Sequence, residues 1–241
     1  MSGHGGKDDL RHPTALAAVV LALCAALTIA VVVLPFVRFA YRAPALHVSL
    51  ETANALIALL VAYLVYGRFR NSRRLQDLLL SMALCTVAAA NLLLTALPTA
   101  LTFGQGIDPT DRGATAIRLL GTFVLTAAAV VPRRTCVRDR RTVAAVASLA
   151  VLGVVLGLLL IGSVRVDDVL AAPDDATRPL LVSDPALLTA QVIGAVLYAV
   201  AAVCLTRKVA HHADELLRWV GAACIVGVFA RIHYLLSLIH I

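Results

Sequence analysis

Charge is what this sequence has least of. Charged residues fill 15% of its 241 positions while 61% are hydrophobic, whereas a water-soluble domain is roughly half apolar and one quarter charged. The mean hydropathy is correspondingly strongly positive, and an ordinary soluble core is excluded as the main architecture. Catalytic signatures are missing as well. No GxxxxGK[ST], HExxH or GxSxG occurs, so neither a phosphate-cradling loop, a zinc helix nor a nucleophile elbow is expected in this chain. No helix break recurs in matching halves, which argues against a transporter built from internal repeats. Of the cysteines, Cys24, Cys85, Cys204 and Cys224 fall in apolar runs and Cys136 in a basic stretch, which excludes a disulfide framework. The acidic pairs Asp167/Asp168 and Asp174/Asp175 lack the alternating spacing of a calcium loop. His211 and His212 are adjacent, not three or four apart as two ligands on one helix face must be. No metal and no cofactor is expected here.

Long apolar runs are what the sequence does have. A spanning helix needs about 20 mainly apolar residues to cross a hydrocarbon core about 30 Å thick. Seven stretches qualify or nearly do, at 14–34, 50–66, 77–97, 115–131, 142–162, 187–206 and 216–236. All nine prolines lie outside these spans or at their ends, and Pro35, Pro98 and Pro132 mark three exits. The fold class expected is therefore all-α, a polytopic membrane bundle with seven transmembrane helices in this chain, over 14–235, after a short N-terminal tail at 1–13. The first apolar run is longer than a signal-peptide core and lacks a clear cleavage site, so it reads as a retained helix. Phe36, Phe39, Tyr41, Tyr63, Tyr66 and Trp219 read as interfacial anchors. Gly153 and Gly157 form a GxxxG pair suited to close helix packing.

The net charge of +7 is no argument for nucleic acid, because the basic residues sit in short connections between apolar runs and alternate in density. Arg68, Arg70, Arg73, Arg74, Arg133, Arg134, Arg138, Arg140, Arg141, Arg207, Lys208 and Arg218, with Lys7 and Arg11, place fourteen on one side. Arg38, Arg42, Arg112, Arg118, Arg165 and Arg178 place six on the other, beside the acidic stretch SVRVDDVLAAPDDATRPLLVSDP. The positive-inside rule then puts the N-terminus in the cytoplasm and the chain in the plasma membrane as a multi-pass protein.

Ionisable residues inside spans cost roughly 2.5–3.5 kcal/mol each on insertion scales and invite a functional reading. Glu51, Asn54, Asn91, Arg118, Gln191, Arg231, His233 and Tyr234 all fall in the extracytoplasmic third under the proposed topology. Such a layer can line a pocket open to the outside, with Glu51 paired to Arg231 or Arg118. The competing reading is interhelical glue and snorkelling to the headgroups, with no ligand. A permeation path is a further alternative, but the inner halves of the spans carry almost no polar side chains to continue it. A membrane scaffold using the GxxxG contact is the third.

Seven spans that begin inside finish outside. The last six residues, LSLIHI, can be encoded by CTGTCTCTTATACACATC, which looks like a transposon-end adapter used in preparing sequencing libraries. Residues 236–241, His240 included, are accordingly read as a non-native end and kept out of functional argument. The parent chain is expected to continue through an eighth span.

The stretch HVSLETANALIALLVAYLVYGRFRNSRRLQDLLLSMALCTVAAANLLLTALP carries an ET pair opening a helix (Glu51, Thr52), a YGRFR basic turn (Tyr66 to Arg70), a DLLL helix start (Asp77 to Leu80) and an ANLLL exit before Pro98. It resembles the second and third membrane helices of the N-terminal sensor region of actinobacterial sensor histidine kinases. The resemblance covers about a fifth of the chain and includes no catalytic residue. It implies a homodimeric input module of a two-component system, followed in the parent by a cytoplasmic core that uses ATP and Mg and passes phosphate to a response regulator. In this chain alone it implies no kinase activity.

Overall fold

The computed structural model describes residues 14–33, 44–92, 112–133, 135–137, 185–212 and 214–239. Helix accounts for nearly all of them: α1 (Ala15–Val33), α2 (Pro44–Ser72), α3 (Leu75–Ala89), α4 (Arg112–Val130), α5 (Pro185–His212) and α6 (Glu215–Ile239). Among the described residues the only extended pairing is one isolated antiparallel bridge, between Arg74 and Cys136. Among the described residues four helices are long and apolar enough to cross a membrane, over Ser49–Ser72, Leu75–Leu92, Leu188–His211 and Glu215–Leu235. Leu23, Val33 and Tyr63 are 64%, 67% and 74% exposed. An outer surface this apolar marks a membrane-embedded protein, since lipid is the solvent that such side chains match.

Four spans by length and composition is fewer than the seven expected. The apolar parts of α1 and α4, Ala15–Ala30 and Ala114–Val130, are shorter. The expected span at 142–162, with Gly153 and Gly157, lies outside the described residues. Two helices run further than their apolar cores. The second span was expected to stop at Tyr66, yet α2 continues to Ser72 because Gly67 faces open space, Phe69 buries its ring and Arg70 closes the last turn. A basic residue there suits the negative end of the helix dipole. Likewise α5 runs on through Arg207 and Lys208 to His212, since straight-chain basic residues are good helix formers.

The described helices fall into two compact units, the first holding α1, α5 from Gln191 onward and α6, and the second holding α2, α3 and α4. In one, α3 is the central helix and packs against both α2 and α4; 56% of its apolar window is buried, against 17% for α2. Ser81 donates to the Ala62 carbonyl at 3.1 Å across α2 and α3. Gly121 lets α4 approach closely, for a Cβ there would meet Val87 Cγ2 at 2.7 Å. The α2 to α3 turn is only two residues long. Arg73 takes a left-handed conformation (φ 53°), the usual way for a chain to leave a helix although glycine normally does it, and Arg74 is extended. Residues 135–137 brace this turn from outside: Leu75 N–H donates to the Thr135 carbonyl at 2.9 Å and Val137 N–H to the Arg73 carbonyl at 2.8 Å.

The other unit holds α1, α5 from Gln191 onward, and α6. Here α1 packs along α6. A short link joins α5 to α6, and Asp214 caps α6 by accepting the Leu217 N–H at 3.3 Å, which satisfies one orphan donor of the first turn. Gly227 lies against the Tyr198 ring, where a Cβ would come within 2.9 Å.

Candidate functional site

Three helices of the second unit each bring one polar side chain to the same end. Glu51 stands near the start of α2, Asn91 in the wider turn that continues α3 past Ala89, and Arg118 in the second turn of α4. Antiparallel connection of α2, α3 and α4 is what collects them, since a residue early in α2 is level with one late in α3 and one early in α4. Arg118 joins the other two. Its Nε donates to Asn91 Oδ1 at 2.9 Å and its Nη2 to Glu51 Oε1 at 3.1 Å. Nε and one Nη share an edge of the planar guanidinium, so a single rigid group ties α2, α3 and α4 together. The Arg118 and Glu51 side chains are only 15% and 17% exposed, and Asn91 is buried. At this burial the two charges offset each other's desolvation, and loss of either leaves the other exposed to its full cost.

A second polar contact closes the opposite end of the same unit, and it was not anticipated. Asp77, in the first turn of α3, is almost fully buried and accepts from Arg68 Nη2 and from Ser72 Oγ, the latter at 2.9 Å. Its place in the sequence carried a signal, being the lone carboxylate in the arginine-rich run RFRNSRRLQD. Glu51 and Arg68 are 17 positions apart on one helix, about 25 Å along the axis at 1.5 Å per residue. The two ion pairs therefore bracket an apolar slab close to the thickness of a hydrocarbon core. Beside Asp77, the amide of Gln76 is buried with neither Oε1 nor Nε2 hydrogen-bonded.

The remaining residues of the expected polar layer lie in the first unit or outside these contacts. Arg231 Nη1 donates to Gln191 Oε1 at 2.7 Å, joining α6 to α5; Gln191 is buried. Of the two partners considered for Glu51, it is Arg118 that the structure places against it. His233 Nε2 lies 3.0 Å from Thr28 Oγ1, and the Thr28 hydroxyl already donates to the Cys24 carbonyl at 2.8 Å. A hydroxyl has one proton to give, so Thr28 accepts here and His233 donates from Nε2, which fixes the tautomer of the ring. Asn54 is exposed on α2 and makes no side-chain hydrogen bond among the described residues. Thr28 gave no warning in the sequence, being one hydroxyl in an apolar run.

No protein-family model, curated protein or solved structure matches this chain.

The geometry must therefore speak for itself. Among the described residues no group of three or more His, Cys, Asp or Glu side chains could hold a metal, and the five cysteines are all free. What the Arg118 cluster does chemically is tie α2, α3 and α4 together by charge-assisted side-chain hydrogen bonds from one guanidinium to a carboxylate and an amide.

Proposed function

We propose that this chain is the membrane input region of a two-component sensor histidine kinase, with seven spans, a cytoplasmic N-terminus in the plasma membrane, and a homodimeric parent whose kinase core binds ATP and Mg and phosphorylates a response regulator. Two things support the reading: the sequence resemblance over α2 and α3, and the bridge by which Arg118 of α4 joins Glu51 of α2 and Asn91 at the end of α3. The bridge is the observation that carries it, because a polar contact shared by three helices is a natural two-state element. A cue that reaches the Glu51 end and binds the open arrangement more tightly than the closed one shifts the population of packings, and only such differential affinity can drive a signal. Last-helix movement would then reach the kinase core.

The test has two parts. Sequencing of the locus across and beyond the codons for 231–241 should show a further apolar span followed by a phosphoacceptor histidine and an ATP-binding domain. In that parent, Arg118→Gln should change basal autophosphorylation at normal expression. A parent without a kinase core, or unchanged signalling in folded Arg118→Gln and Glu51→Gln proteins, would overturn the proposal.

A further inference from the structure

The Arg68 end of the second unit is strongly basic, and its charge is not spread evenly. Stretches 67–77 and 132–141 together hold nine arginines against two aspartates, Asp77 and Asp139. Backbone hydrogen bonds from Leu75 to Thr135 and from Val137 to Arg73 fasten residues 73–75 beside 135–137. Of the arginines on the α2 to α3 turn, Arg68 is neutralised by Asp77. Arg70, Arg73 and Arg74 have no ion-pair partner among the described residues; Arg70 and Arg73 are exposed and Arg74 is half-buried. Arg73 is held against the end of α2. Arg73 Cζ lies 5.9 Å from the centre of the Phe69 ring, and Phe69 packs at 6.1 Å against Tyr66, which is 46% exposed above the apolar face carrying Leu60, Tyr63 and Leu64. Tyrosine at such a boundary marks the level of the headgroups.

We infer that Arg70, Arg73 and Arg74 form a binding site for the phosphate of an anionic phospholipid. Three guanidiniums without an ion-pair partner among the described residues stand on the last turn of α2 and the braced turn that follows it, next to the exposed apolar surface of α2, so one ligand can place acyl chains along α2 and its phosphate among the arginines. Charge complementarity selects the anionic headgroup, and Arg suits phosphate through paired N–H donors. The inference goes beyond signalling and rests only on α2 and α3 crossing a bilayer.

The test is native mass spectrometry of the full chain released from detergent and titrated with dioleoylphosphatidylglycerol or dioleoylphosphatidylcholine. Saturable phosphatidylglycerol binding is expected, weakened by salt, unaffected by millimolar inorganic phosphate, and reduced about a hundredfold in R70Q/R73Q/R74Q at roughly fivefold per arginine. Equal binding of the two lipids by the unaltered chain, or a triple variant that binds within about threefold of it, overturns the site. Competition by inorganic phosphate overturns the lipid assignment in favour of a soluble phosphate. Where the triple variant fails to fold, the single variants R70Q, R73Q and R74Q decide the matter, each expected to weaken phosphatidylglycerol binding roughly fivefold and overturning the site if all three bind as the unaltered chain does. Carbonate extraction separates the premise from the inference: a chain stripped from membranes by alkali would refute the spanning of α2 and α3, whereas an integral chain that does not discriminate lipids refutes the site alone.

Discussion

Replacement of Arg118 by Met keeps the length and helix propensity of the side chain but removes both donors that hold Asn91 and Glu51. Glu51 is then a carboxylate at 17% exposure without its countercharge. Breaking a fully buried pair from one side costs about 3–5 kcal/mol, and the residual exposure of this pair argues for a cost below that range, roughly 2–3 kcal/mol. Glu51→Gln should cost less, about 1 kcal/mol, because Arg118 keeps Asn91 and its long stem can reach toward the headgroups. The double variant removes both charges, so its cost should fall short of the sum of the two by about 1–2 kcal/mol. Reversible unfolding in mixed detergent micelles, followed by circular dichroism as sodium dodecyl sulfate is raised, measures all four proteins of the cycle. Asn54→Leu, one turn along α2 and exposed, is the control and should stay within about 0.5 kcal/mol. A coupling energy below about 0.5 kcal/mol would show that Arg118 and Glu51 merely lie close together, and the three-helix bridge would lose its energetic meaning.

Four other substitutions probe the packing within each unit. Gly121→Val should destabilise the second unit by about 1–3 kcal/mol through overpacking on Val87, read by the same unfolding assay, whereas Gly67→Ala, which meets open space, should be neutral or mildly stabilising by up to about 1 kcal/mol. Gln76→Met removes a buried amide without hydrogen-bond partners and should be neutral or stabilising by about 1 kcal/mol; a clear loss of stability would show that the amide is satisfied in the membrane by a group yet to be identified. Thr28→Val keeps the shape of the side chain but removes the acceptor of His233 Nε2, and should weaken the packing of α1 on α6 by about 0.6 kcal/mol, the average for interhelical hydrogen bonds in membranes, seen as faster proteolysis between α1 and α2.

Among the described residues helix existence was legible in the sequence because a run of about 20 apolar residues has few other stable fates, and Pro132 marked the exit of α4. Helix ends were less so. Apolarity stops at Tyr66 and Thr206, but helicity is set by backbone propensity and by what the next turn buries, and Phe69 and the Arg207–Lys208 pair carry α2 and α5 beyond the lipid-soluble stretch. Pairing of the polar residues was harder still. Depth could be read from position along each span, which is why Glu51, Asn91 and Arg118 were grouped, but the choice of Arg118 over Arg231 depends on which helices pack together. Nothing in a single sequence records that. Arg231 instead meets Gln191 on α5, the helix joined to its own by a short link. Asp77 was passed over because carboxylates at helix starts are commonplace, and its significance appears only when Arg68 and Ser72 come round the turn to meet it.

The bracketing of α2 by two ion pairs constrains how the second unit can move. At the Arg68 end, Asp77 holds Arg68 and Ser72 while residues 135–137 brace the turn by backbone hydrogen bonds, so that end combines side-chain and main-chain restraint. At the Glu51 end the restraint described is made by side chains alone, and Arg118 can exchange partners without breaking any backbone hydrogen bond. Between them the α2 to α3 contact is apolar apart from the hydrogen bond from Ser81 to Ala62. A helix held firmly at one end and by an exchangeable contact at the other moves by tilting about the firm end. With about 25 Å of helix between the two pairs, separating Glu51 from Arg118 by a few ångströms needs a tilt of only about 5–10°, within the scatter that helix packing tolerates. If a solute parts Glu51 from Arg118, as the proposed function requires, the restraints among the described residues make the Arg68 end the pivot and the Glu51 end the moving part, so that the packing of the helices changes without unfolding them.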